Sequence, residues 1–138
     1  MKEENKNQSE EYFREAVRYY YNAKQILKKA KIKYDIYTDT KPVREACGIC
    51  YLAVLEALNG YFILHGMEKK KLPDTFQGYW TALEKYLTHN GKLKSALQVV
   101  YQNLHIFGYY HSASEVNLIK SGFEKAHWII KTLSGNKL

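Results

Sequence analysis

Proline and cysteine are both scarce in this 138-residue chain, and each scarcity excludes a class of protein. The two prolines, Pro42 and Pro73, lie near predicted helix starts, so neither interrupts a helix. The two cysteines, Cys47 and Cys50, are too few for the disulfide framework of a small secreted fold. Because residues 1–11 are hydrophilic and acidic, unlike a signal peptide, we expect a cytoplasmic protein.

Several motifs of catalysis and cofactor binding are also missing from the sequence. It contains no glycine-rich phosphate loop, no GxSxG nucleophile elbow and no HExxH pair. Cys47 and Cys50 have the spacing of a redox pair, but they lie a full turn inside a predicted apolar helix, where cysteine packs as a small hydrophobe. A zinc site needs about four ligands, and the sequence has no second cysteine pair. We therefore predict no metal site and no cofactor.

Long hydrophobic runs are limited to one, over residues 46–67, which is nearly long enough to span a bilayer. Its middle holds Glu56, Asn59 and Gly60, which are unfavourable in a helix that faces lipid. Amphipathic segments before and after it offer partners for burial. The run therefore predicts the central helix of a soluble bundle and not a membrane span.

Apolar residues recur at helical spacing in five segments, and no strand-like alternation is visible. Candidate caps open four of these segments, at Ser9, Thr40, Asp74 and Ser112, and an Asn90-Gly91 break precedes the remaining one. The pattern predicts an all-α protein, an up-and-down bundle of about five helices without a sheet. We expect a flexible polar lead at 1–8 and a single helical domain at 9–135.

Positive charge and tyrosine are both plentiful. The chain has 21 Lys and Arg against 14 Asp and Glu, a formal net charge of +7, and it has 13 tyrosines. A basic surface can bind nucleic acid or another polyanion, although dispersed lysines are also typical of an ordinary solvated surface. Tyrosine joins a large contact area to a polar tip and is enriched at interfaces.

Aromatic and histidine residues gather at the end of the fourth predicted helix, within 104–112. They are His105, Tyr109, Tyr110 and His111. Such rings can stack on bases, and their polar atoms can hydrogen-bond to phosphate, so the segment is a candidate site for RNA binding without cleavage. The alternative is that it only turns the chain between two helices.

Three stretches resemble the HEPN family, small helical bundles tied to nucleotide and RNA biology. They are residues 16–27 (AVRYYYNAKQIL), 46–58 (ACGICYLAVLEAL) and 104–110 (LHIFGYY) with the helix that follows. The resemblance covers most of residues 10–133. It implies a helical bundle that forms a homodimer, and a nucleotidyltransferase-type protein as a possible partner.

RNases of the HEPN family carry an arginine that precedes a histidine by a short spacer, and the two converge at a dimer cleft. This chain departs from that motif, because its three arginines, Arg14, Arg18 and Arg44, are not followed by histidine at that distance. The matching segment instead holds His105, with His111 beyond it. A histidine lacks the guanidinium fork and is largely neutral at pH 7.

The sequence therefore favours a non-catalytic HEPN-like interaction domain, a homodimer that binds a partner protein, a nucleotide or RNA. One alternative is a metal-independent RNase of the HEPN toxin type, in which His105 and His111 are weak catalytic candidates. Another is a purely structural assembly module, which needs only the apolar faces of its helices.

Overall fold

Five α-helices account for most of the chain in the computed structural model, which describes residues 2–135 and 138. They are α1 (Lys2–Lys28), α2 (Thr40–Leu64), α3 (Phe76–Tyr86), α4 (Gly91–Val100) and α5 (Val116–Ser134). A π-helix (Tyr101–Tyr110) continues α4, and a 3-10 turn (Lys69–Lys71) lies between α2 and α3. The prediction of an all-α helical bundle is confirmed.

Helix α2 lies at the centre of the bundle because apolar residues cover almost every side of it. It packs against α1, α5 and the π-helix. By length and composition α2 could cross a membrane, but 61% of its most apolar window is buried inside the bundle. That burial is the one expected of the core helix of a soluble protein.

Helix α1 begins earlier than predicted, because residues 2–8 are helical where a flexible lead was expected. Met1 lies outside the described residues. Two glutamates in the first turn of α1 interact favourably with the helix dipole. Ser9 does not open the helix: its buried hydroxyl donates to the carbonyl of Lys6 at 2.9 Å.

The other helix starts fall within a few residues of their predicted positions. Helix α2 is capped by Asp39 and not by Thr40, and α3 by Thr75 and not by Asp74. Each capping side chain accepts a hydrogen bond from a backbone N–H of the first turn. Asn90, which the sequence indicated only as part of a chain break with Gly91, caps α4 by accepting from the N–H of Leu93.

A two-stranded antiparallel hairpin, β1 (Ile32–Lys33) and β2 (Ile36–Tyr37), occupies the loop between α1 and α2. The prediction that no sheet would form is therefore wrong at this point. Tyr34 and Asp35 connect the strands with φ values of 54° and 60°, as a two-residue type I′ turn requires. Strands of two residues are too short for alternation to reveal them.

The hairpin is fastened to the segment that precedes α5. The backbone N–H of Tyr37 donates to the carbonyl of Ser114 at 2.8 Å, and that of Val116 donates to the carbonyl of Asp35 at 3.2 Å. The Tyr37 side chain is buried in the core. We call this junction the clasp.

Candidate functional site

The predicted ring cluster lies on the π-helix. Its hydrogen bonds reach five residues back; at its end the N–H of His111 donates to the carbonyl of Ile106 at 3.0 Å. The wider turn brings side chains four or five positions apart to the same side. The ring residues at that spacing are Tyr101, His105, Tyr109 and Tyr110.

These rings contact one another. The centroids of His105 and Tyr109 lie 6.2 Å apart with their planes within 3°, and Tyr110 meets His105 edge-on at 5.0 Å. Tyr51, buried on α2, stacks against His105 at 4.5 Å. Offset stacks and edge-on contacts are the favoured geometries for aromatic pairs, so the cluster is well ordered.

The row of rings continues onto α3. Tyr101 stacks on Phe76 with centroids 3.8 Å apart, and Phe76 lies 5.9 Å from Trp80. We call this continuous row the aromatic track; its members are Trp80, Phe76, Tyr101, His105, Tyr109 and Tyr110. The sequence predicted only the end of the track that lies on the π-helix.

A cation lies at each end of the aromatic track. The Nε of the exposed Arg44 donates to the carbonyl of Tyr109 at 2.9 Å, and its guanidinium lies 5.9 Å from that ring. At the other end the Nζ of Lys94 lies 5.0 Å from the Trp80 ring and 2.9 Å from a carboxylate oxygen of Glu84. Sequence reasoning missed Arg44 because 65 positions separate it from Tyr109.

Two glycines let α2 and the π-helix approach closely. A Cβ on Gly48 would lie 3.2 Å from the Tyr109 ring, and one on Gly108 only 2.5 Å from the Sγ of Cys47. Gly48 thus permits a close approach of the two helices. Cys47 and Cys50 are fully buried, and burial raises the pKa of Cys47 to about 12 and that of Cys50 well above its ordinary value. Both thiols are therefore packing groups.

The four candidate residues differ in what they offer to a ligand. Tyr110 and Tyr109 are 61% and 41% exposed, and His111 is exposed just beyond the π-helix. His105 is half-buried, and burial lowers its pKa, which disfavours a positive charge on its ring. The structure brings together His105, Tyr109 and Tyr110. Within the residues it describes, no group of three or more His, Cys, Asp or Glu is placed to hold a metal.

A second feature, which sequence reasoning did not find, is a cleft of about 570 Å³ between α1, the hairpin and α5. Its floor is aromatic and its rim is rich in lysine. We call it the basic cleft; its main lining residues are Tyr20, Tyr37, Phe123, Lys24, Lys28 and Lys120. They come from three distant segments, so no local pattern could indicate it.

A solved structure shares the fold of this chain, and neither the family model nor that structure carries an assigned activity. A family model described as "Domain of unknown function (DUF5618)" matches residues 11–135. A solved structure, a protein of unknown function from Dyadobacter fermentans, is similar with a TM-score of 0.79 and 30% identity. That match covers 92% of this chain and 97% of the other. No curated protein matches the chain.

Proposed function

The chain belongs to the DUF5618 family, and we propose that it is a non-catalytic, HEPN-like interaction domain that binds single-stranded RNA along the aromatic track. The observation that supports this proposal is the continuous row of rings with a cation at each end. Bases stack on aromatic side chains whatever their sequence, and cations beside the rings attract the phosphates.

The end of the track formed by Tyr109 and Tyr110 is its most accessible part. Both rings are more than a third exposed, so each can receive a base. Arg44 is exposed beside them, and a guanidinium can donate several hydrogen bonds to a phosphate while its Nε holds the Tyr109 carbonyl. The net charge of +7 adds a general attraction to a polyanion.

The packing of His105 favours binding over cleavage. A general base must reach the proton that it removes, and its imidazole must be free to do so. The His105 ring is stacked on Tyr51 at 4.5 Å and lies 5.5 Å from Tyr101, which gives it a structural role in the track. The alternative, a metal-independent RNase that uses His105 and His111, is an outcome of the test below.

Association is the second part of the proposal. Leu52 on α2 and Phe107 on the π-helix are 50% and 41% exposed, and the π-helix carries four of the six members of the track. Exposed apolar side chains of this kind favour a protein contact. We propose a homodimer in the cytoplasm, with a nucleotidyltransferase-type protein as a further partner; light scattering at tens of micromolar, about the range suited to a stable homodimer, tests the dimer.

The test of RNA binding is a titration of labelled short single-stranded RNA at two salt concentrations. Tyr110→Ala should weaken binding by roughly 5- to 150-fold, the equivalent of one lost base stack. Tyr21→Ala is the matched control, since it removes a 48% exposed tyrosine from α1. Arg44→Gln should weaken binding and reduce its dependence on salt.

Three results would overturn the proposal. Equal affinity of the Tyr110→Ala and Tyr21→Ala proteins would place the RNA contact away from the track, and no binding at low salt would remove RNA as a ligand. Cleavage of the RNA by the native protein, lost in His105→Ala, would establish the RNase alternative.

A further inference from the structure

The basic cleft has the dimensions and floor of a small-molecule site. Its volume, about 570 Å³, lies in the range of roughly 300–1,000 Å³ that such sites occupy. Tyr20, Tyr37 and Phe123 line it and are at most 5% exposed overall, so packing holds them in place. The ring centroids of Tyr20 and Phe123 lie 6.3 Å apart. This floor offers an ordered apolar surface to a ligand.

Positive charge dominates the rim of the cleft. Lys24 and Lys28 reach it from α1 and Lys120 from α5, whereas the single acidic side chain that lines it is Glu124. Within the described part of the chain, none of these three lysines makes an ion pair. The rim therefore has ammonium groups available to an anion.

His127 lies among the same positive charges. Its ring lies in the cleft, 5.5 Å from the ring of Tyr20. Burial lowers the pKa of His127, and the charges of Lys131 and Lys24 lower it further. A positive charge on the His127 ring is thus unfavourable. A negative charge at the same place in the cleft would be stabilised.

We propose that the basic cleft binds a small organic anion with an apolar body, an aromatic or short-chain phosphate or carboxylate. The body packs on the rings of Tyr20 and Phe123, and the acid group lies among Lys24, Lys28 and Lys120. Lysine binds phosphate and carboxylate as a point charge and tolerates several head groups. This site is separate from the aromatic track and does not depend on the proposal for RNA.

Phenyl phosphate is the probe, and its two halves are the controls. In a titration followed by the ¹⁵N–¹H spectrum, phenyl phosphate should shift the amides around the cleft saturably. Inorganic phosphate and phenol, which each lack one half of the ligand, should bind at least about tenfold more weakly. Equal binding of inorganic phosphate would show a plain anion site and would overturn the proposal.

Matched variants test the rim. Lys24→Gln/Lys120→Gln should weaken phenyl phosphate at least about tenfold, the loss expected for charge-assisted hydrogen bonds. Lys69→Gln/Lys70→Gln removes the same charge from the exposed 3-10 turn, outside the cleft, and should change the affinity less than about twofold, as a distant screened charge does. Equal losses in the two proteins would contradict a local site.

The ring protons of His127 give a readout that does not depend on affinity. Bound phenyl phosphate should raise the pKa of His127, because its negative charge offsets those of Lys24 and Lys131. An unchanged His127 pKa at saturating ligand would contradict the proposal. Lys24→Gln/Lys120→Gln alters only the basic cleft, so this variant should lose affinity for phenyl phosphate and keep its affinity for RNA. Measuring both affinities therefore separates this proposal from the first.

Discussion

The aromatic track and the basic cleft lie on the same bundle, yet the helices that meet beneath the track are closely packed, whereas those around the cleft leave a cavity. At the track, Gly48 and Gly108 let α2 and the π-helix come within contact of each other's side chains. At the cleft, α1 and α5 meet through Tyr20 and Phe123, and its lining contains no glycine among residues 2–135 and 138. The size of the residues at a helix contact thus decides whether the helices close on each other or leave a cavity.

The largest expected effect on stability comes from adding one methyl group to the contact between α2 and the π-helix. In Gly108→Ala the new Cβ would lie 2.5 Å from the Sγ and 3.0 Å from the Cβ of Cys47, which is fully buried. Because overpacking a tight core forces the helices apart, we expect the free energy of unfolding to fall by about 1–3 kcal/mol. Urea denaturation followed by circular dichroism measures it.

Gly91→Ala is the control for this prediction. A Cβ on Gly91 meets nothing within 4 Å, so the stability should change by less than about 0.5 kcal/mol. In the double variant Cys47→Ala/Gly108→Ala the two losses should not add, since removing the sulfur relieves the clash. A Gly108→Ala protein as stable as the native one would show that the contact between α2 and the π-helix is not tightly packed.

Acid should destabilise the protein through two histidines, one at the aromatic track and one at the basic cleft. The pKa values of His105, at the track, and His127, at the cleft, are both lowered in the folded protein, chiefly by burial. The unfolded chain therefore binds protons at these residues more readily than the folded one. Their contribution is fully present above the ordinary histidine pKa and is lost as the pH falls below it.

The expected loss between pH 7 and pH 5 is less than about 1 kcal/mol for each histidine, since solvent screens both. Denaturation of His105→Gln and His127→Gln across this range should show a shallower fall than the native protein. His111→Gln removes an exposed histidine and serves as the comparison. If all four proteins lost stability in parallel, neither buried histidine would govern the acid response.

The smallest expected effect is a difference in how salt changes the pKa values of His105 and His127, because different causes lower the two pKa values. Burial alone lowers the pKa of His105, whereas Lys131 and Lys24 also lower that of His127. Screening lengths shrink from about 30 Å at 0.01 M salt to about 3 Å at 1 M. Added salt should therefore raise the pKa of His127 more than that of His105, as measured on the ring protons by NMR. Equal responses would show that the lysines do not set the charge of the cleft.

The sequence predicts this fold where one helix pattern suffices and fails where distant segments meet. The central position of α2 was predicted from its all-round apolar surface. The packing of the two cysteines in the core was predicted from their place inside that helix. The aromatic track was half predicted, because the ring spacing on one helix is visible in the sequence. Its other half depends on Phe76 and Trp80 of α3, and on Arg44, whose contacts only folding creates.

The hairpin and the basic cleft show the other limit. A type I′ turn formed by Tyr34 and Asp35 carries none of the usual Asn-Gly signal, so nothing local predicted it. The π-helix was taken for the end of α4, because its apolar spacing also fits an α-helix over a short range. The cleft is defined by where α1, the hairpin and α5 diverge, a property of the assembled bundle and of no single segment.

The clasp also bears on how the protein folds. It joins Tyr37 to Ser114 and Asp35 to Val116, pairs separated by most of the chain. Helical turns form from neighbouring residues at little entropic cost, whereas a contact of this kind requires a long loop to close first. We therefore expect the clasp to form late in folding. Because the hairpin supplies Ile32 and Tyr37 to the lining of the cleft, we expect that a chain with all five helices formed but no clasp would still lack the complete cleft.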